Sequence, residues 1–126
     1  MSKYKRIQTQ ITDRDCLVQA LEAIGVPFEQ GQCLALEGYS GTHPQTVEFA
    51  IRKKHLRSFG DLGFYRIGNQ YEVIVDDMDR RGQEIVRQVK KQYAVAKITK
   101  EAQRTGHIVI PQKAEGGIIR LQLRRY

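Results

Sequence analysis

One stretch constrains the fold of this chain more than any other: the charged run from Asp79 to Thr105, which reads as a long helix and carries much of the positive charge. Asp79 offers an N-cap oxygen, and Asp76 and Asp77 place negative charge near the positive end of the helix dipole. At 100° per residue Ile85, Val86, Val89, Tyr93 and Ala96 fall on one apolar stripe, which predicts a face packed on a sheet. Beyond Tyr93 the pattern changes. Ala94, Val95, Ile98 and Ala102 gather on nearly the opposite side, while Lys97, Lys100 and Arg104 move toward the first stripe. A straight helix on a single sheet cannot bury both sets. The pattern therefore predicts either a break or kink between about Lys91 and Lys97, or a second half that leaves the sheet and presents an apolar side to a partner. Uninterrupted, the run would span roughly 40 Å, comparable with a whole domain of this size.

The rest of the chain supplies strands. Lys5 to Ile11 alternates, with Ile7, Thr9 and Ile11 on one side, the period of a half-buried strand. Thr12 with Asp15 three residues on forms a capping-box-like pair, and Leu17, Ala20, Leu21 and Ile24 then follow helical spacing up to Gly25 and Pro27. Gln32 to Glu37 is the second strand, the "GYSGTHP" from Gly38 to Pro44 a surface loop, and Thr46 to Arg52 a third strand with Val47, Phe49 and Ile51 inward. The charge cluster "RKKHLRSFG" from Arg52 to Gly60 reads as a mobile loop. Phe64 to Ile67 and Gln70 to Val75 flank Gly68 and Asn69 as a tight hairpin. After the long helix, Gly106 ends it, His107 to Pro111 is a short strand, and Ile119, Leu121 and Leu123 alternate with Arg120, Gln122 and Arg124 in a last strand with a basic outer side. The order is β-α-β-β-β-β-α-β-β. This is an α+β chain in which two helices cover one face of a mainly antiparallel sheet, a ferredoxin-like core with an extra hairpin, and residues 1–126 are expected to form a single domain.

No apolar run approaches the roughly 18 residues that cross a bilayer, and the N-terminal residues lack the core of a signal peptide, so a soluble protein is expected. Cys16 and Cys33 lack metal-ligand spacing and are read as reduced and packed. The charge is unevenly shared: residues 1–63 hold 8 Lys/Arg against 7 Asp/Glu, and residues 64–126 hold 13 against 7. Arg80, Arg81, Arg87, Lys90 and Lys91 of the long helix would form a phosphate-binding surface with Arg120, Arg124 and Arg125 of the last strand if the two elements are neighbours, with Tyr65, Tyr71, Tyr93 and Tyr126 available to stack on bases. Motifs of the common RNA- and DNA-binding modules are missing, and a solvated face explains the same charges.

Catalytic chemistry has no sequence support. The three carboxylates within "DDMD" at Asp76 to Asp79 lack calcium-loop spacing and its closing glutamate, so they are read as a strand end and a helix cap. His43, His55 and His107 have no neighbouring ligand at zinc spacing, and neither a Walker loop nor a dinucleotide fingerprint occurs. No metal, cofactor or catalytic residue is assigned.

Five segments, "GYSG" at Gly38 to Gly41, "DLGF" at Asp61 to Phe64, "YEVIVDD" at Tyr71 to Asp77, "QYAVAKITKEAQRTG" at Gln92 to Gly106 and the terminal "LQLRRY", occur in an order that resembles the hypothetical chloroplast reading frame thirty-five family of plastids and cyanobacteria. The chain departs from that pattern in lacking tryptophan, in ending on tyrosine and in the loop from Arg52 to Gly60. The resemblance implies a small soluble protein of a cyanobacterial cytoplasm or plastid stroma, without an assigned activity. Two functions follow as expectations: a non-catalytic interaction module that docks a protein partner or a second copy on Ala94, Val95, Ile98 and Ala102, or sequence-independent nucleic-acid binding through the basic C-terminal half.

Overall fold

Alternating apolar residues in the first half of the chain and two amphipathic helices build a two-layer structure, seen here in a computed structural model that describes residues 4–38, 41–58, 60–115 and 118–125. The elements are β1 (Tyr4–Gln8), α1 (Arg14–Ala23), β2 (Glu29–Gly38), β3 (Gly41–Ile51), α2 (Lys53–Leu56), β4 (Leu62–Ile67), β5 (Gln70–Asp76), α3 (Arg80–Arg104), β6 (His107–Glu115) and β7 (Ile118–Arg125). Five strands form one antiparallel sheet in the order β1-β5-β4-β3-β2, and β6 and β7 form a second sheet of their own. The α+β class, the antiparallel sheet and the two long helices on one face agree with the sequence reading. The ferredoxin-like comparison extends no further than that: the connection from β1 through α1 to β2 joins the two outer edges of the sheet, with three strands between them.

Helix ends are written locally. Asp13 caps α1 by accepting the Cys16 amide at 3.1 Å, so the cap lies one residue beyond the expected Thr12. Gly25 and Gly106 follow the last turns of α1 and α3 at φ 73° and 78°, the left-handed backbone in which a side chain is strained. The main core lies between the sheet and both helices. Leu17 and Leu21 of α1 and Val86 and Val89 of α3 pack with Phe49, Phe64, Tyr71, Val73 and Val75 of the strands. The Phe49 ring sits tilted against Tyr71 at 6.1 Å and against Phe28 at 6.4 Å between centroids.

The other sheet face buries a smaller cluster of Leu36, Val47, Ala50, Tyr65 and Ile74. Val47 was expected beside Phe49 and Ile51. It turns to the second face where the pairing of β2 with β3 slips between Gln30 and Leu34, and such a bulge reorients side chains. The loop expected over Gly38 to Pro44 is also smaller than the sequence suggests, because β3 begins at Gly41 and pairs with Gly38; residues 39 and 40 lie outside the described set.

The segment read as a mobile loop is instead tied down. Lys53–Leu56 forms the short α2, whose Leu56 is buried in the main core. The Asp61 carboxylate, 2% exposed, accepts from the Lys53 amide at 2.7 Å, the Glu37 amide at 2.9 Å and the Arg52 guanidinium at 2.9 Å. Arg52 in turn donates to Glu29 and to the Ala35 carbonyl, joining α2 to the edge strand β2. The Arg52 guanidinium holds the Glu29 carboxyl below its usual range. Arg52, read as the start of a mobile loop, thus forms a fixed clamp with Asp61 and Glu29. Among the described residues no helix is long and apolar enough to cross a membrane.

Candidate binding groove

The long helix runs unbroken from Arg80 to Arg104, with no interruption between Lys91 and Lys97. It accommodates its two apolar stripes without a kink because its neighbours change along its length. Ile85, Val86, Val89 and Tyr93 sit on the sheet and on α1. Farther on, Lys100 and Lys97 reach across to Asp13 at the start of α1, at 2.5 and 3.6 Å. The last turns meet β6 and β7. A stripe that would be buried on a longer sheet is thereby given over to ion pairs at the end of the core.

The four residues proposed for partner docking separate. Ala102 is buried at 6% exposure and Val95 is half-buried. Ala94 is exposed, and Ile98 keeps 43% of its surface open. These two line an open groove of about 610 Å³, walled on one side by residues 8–11 as the chain leaves β1 and on the other by Lys90, Tyr93, Ala94, Lys97 and Ile98 of α3. Tyr93 fixes the geometry: its hydroxyl accepts from the Thr12 and Asp13 amides, both at 3.1 Å, which pins the strand-to-helix connection to α3. The groove is apolar along Ile11, Ala94 and Ile98 and cationic at Lys90 and Lys97. Lys97 is partly neutralised by Asp13 and by Glu101 at 3.9 Å, whereas Lys90 forms no ion pair among the described residues. Residues 8–11 were read as strand alone, and only the fold brings them beside the helix. The polar tip of Tyr93 within an apolar stripe was the one sequence signal of that meeting.

The basic residues are divided between two elements. Arg80, Arg81, Arg87, Lys90 and Lys91 are exposed along the first half of α3, with Arg87 held by Glu84. Arg120, Arg124 and Arg125 lie on β7, which pairs only with β6 at the far end of α3. Lys91 lies roughly 20 Å along α3 from Arg104, the end to which β6 is joined. Base stacking by the tyrosines is also excluded for three of the four. Tyr65, Tyr71 and Tyr93 are buried, and burial pushes the Tyr65 and Tyr71 hydroxyls up to about 12, with Glu72 and Glu48 adding to the effect. Tyr126 lies outside the described residues.

A second hollow of about 520 Å³ borders the start of α3, lined by Arg57, Asp76, Asp79, Arg80 and Arg81 among others. Asp76 accepts the Met78 amide at 2.9 Å, and Asp79 caps the helix by accepting the Gly82 amide at 2.8 Å through Oδ1, while its Oδ2 is buried without a hydrogen-bond partner among the described residues. Among the described residues no three His, Cys, Asp or Glu side chains group as a metal site. His55 lies in α2, His107 contacts Thr105 at 3.0 Å, and the side chain of His43 lies outside the described set. Cys16 is buried with its thiol pushed up by that burial, which disfavours the reactive thiolate; Cys33, expected to be packed, is exposed on the edge strand β2.

No solved structure matches the chain. It is 28% identical over 131 residues to an uncharacterised ycf35 protein of Cyanophora paradoxa, covering 100% of this chain and 98% of the relative, as the ordered motifs lead one to expect. A family model also matches residues 20–122, from within α1 into β7, and the chain therefore belongs to the family described as "Protein of unknown function (DUF1257)".

Proposed function

We propose that the protein is a non-catalytic interaction module of a cyanobacterial cytoplasm or plastid stroma, and that the groove between residues 8–11 and α3 is where it receives a partner. The observation that carries this reading is the exposure of Ala94 and Ile98 inside an open groove of about 610 Å³ whose walls are fixed by Tyr93 and Asp13. A preformed concave surface with an apolar floor and a few charged groups suits recognition. Lys90 and Lys97 select the occupant by charge: a short segment of a partner protein that carries an apolar side chain for Ile98 and a carboxylate for Lys90. A second copy of the chain is a poorer occupant, since both copies carry a net charge of +7.

Ile98→Glu tests the groove directly. With 43% of its surface open, Ile98 is replaceable without unfolding, so circular dichroism and the thermal midpoint should stay close to those of the unaltered protein. A partner purified with the tagged protein from its own cells, then titrated as an isolated component, should bind the variant at least about tenfold more weakly, equivalent to about 1.4 kcal/mol. Equal affinity of a folded Ile98→Glu variant for every such partner overturns the reading.

A further inference from the structure

The β6–β7 hairpin stands apart from everything that makes the rest of the molecule stable. None of its described side chains belongs to either core cluster, and each of those in 107–110 and 119–125 is half-exposed or exposed. It touches only the end of α3 among the major element contacts. A two-stranded ribbon with no third strand is marginal by itself, so a ribbon of this length invites a functional explanation.

Its two faces differ. The register pairs Ile108 with Arg124, Ile110 with Gln122 and Gln112 with Arg120, so Arg120, Gln122 and Arg124 share one face and all three are exposed. The opposite face carries Val109, Leu121 and Leu123, with Arg125 at its end beside His107. Arg120, Arg124 and Arg125 have no ion-pair partner among the described residues, and the sequence of the hairpin contains a single carboxylate, Glu115, at its tip. Three arginines without an ion-pair partner among the described residues fit a polyanion.

The shape narrows the class. A two-stranded ribbon fits the B-form major groove, about 12 Å wide, whereas the major groove of duplex RNA is too narrow to admit it. Arginine and glutamine are the side chains that bond guanine and adenine edges there. Binding of single strands relies on stacking platforms, and no Phe, Tyr or Trp occurs between His107 and Arg125. We propose that the β6–β7 ribbon docks in the major groove of double-stranded DNA with the Arg120–Gln122–Arg124 face toward the bases. This is independent of the groove on α3, which lies on a different element.

Fluorescence anisotropy of a short labelled DNA duplex with the full-length protein tests it, beside a duplex RNA and a single strand of the same sequence. Neutralising three phosphates predicts that DNA-duplex affinity falls about 40-fold between about 50 and about 200 mM salt. Replacing Arg120, Arg124 and Arg125 together by alanine should weaken duplex binding by at least about tenfold, whereas replacing Arg80, Arg81 and Arg87 should change it by less than about twofold. Both triple variants are surface changes whose circular dichroism should match the parent. Absence of duplex binding at low salt overturns the proposal, as does equal loss in the two triple variants. Stronger binding to RNA or to the single strand also overturns it, and so does equally effective competition by polyglutamate, which would make the ribbon a surface for acidic protein.

Discussion

Asp13 serves α1 and α3 at once. One carboxylate oxygen caps α1 through the Cys16 amide, and the other meets Lys100 at 2.5 Å. The Lys100 ammonium, followed by the Cys16 amide, holds the carboxyl down at about 2 against an ordinary 3.8. With the folded value below the unfolded one, the unfolded chain takes up the proton first as pH falls. The stabilisation is present at neutral pH and is lost between about pH 4 and about pH 2. Discounted for the solvent exposure of Lys100, it is worth about 1 kcal/mol. Asp13→Asn keeps the cap and removes the charge, so urea unfolding should show the variant about 1 kcal/mol less stable at neutral pH, with the gap closed at about pH 2. A gap of the same size at both pH values would assign the effect to packing instead. Sequence alone pointed to Thr12 as the cap, and the structure places it at Asp13. The choice was made by Tyr93 and Lys100, some 80 and 87 positions away.

Among the elements, α3 was the most legible and its surroundings the least. Its N-cap, its extent and its first buried stripe follow from local chemistry and from 3.6-residue spacing. Gly82 in its first turn is a case where propensity and packing oppose each other. Alanine is favoured over glycine inside a helix by about 1 kcal/mol. A Cβ at Gly82 would, however, run into Asp79 Oδ2 and come within 3.0 Å of Val75 Cγ2, displacing the carboxylate that caps the helix. Gly82→Ala should therefore destabilise the protein by about 1–2 kcal/mol despite the better helix former. Chemical denaturation measures this, and a stabilised variant would mean that the cap shifts without cost. Of the two expectations for the second stripe, the break is overturned by the unbroken helix, since no local signal in the sequence says where a helix passes the edge of its sheet. Ala102 is buried there and Ile98 is open.

Over the whole molecule, stability should be distributed as the burial is. The strands β3, β4 and β5 are buried against helices on one face and carry the second cluster on the other, whereas the described side chains of β6 and β7 belong to neither. Hydrogen exchange should find the amides of β4 and β5 protected up to the global unfolding free energy, and those of β6 and β7 exchanging by local opening orders of magnitude faster. Uniform protection across both sheets would show the ribbon to be part of the same cooperative unit. The sequence by itself determined the α+β class, most strand positions, the β4–β5 hairpin, the two ends of the α3 run and the excess of cations in the second half, because each depends on periodicity, capping or composition within a few neighbours. Only the tertiary structure decided that Arg52 and Asp61 form a clamp, that residues 8–11 and Ile98 share a groove, and that β7 with its arginines pairs outside the five-stranded sheet. Those outcomes depend on which distant segments meet, and sheet order and helix crossings are set by burial summed over the whole chain.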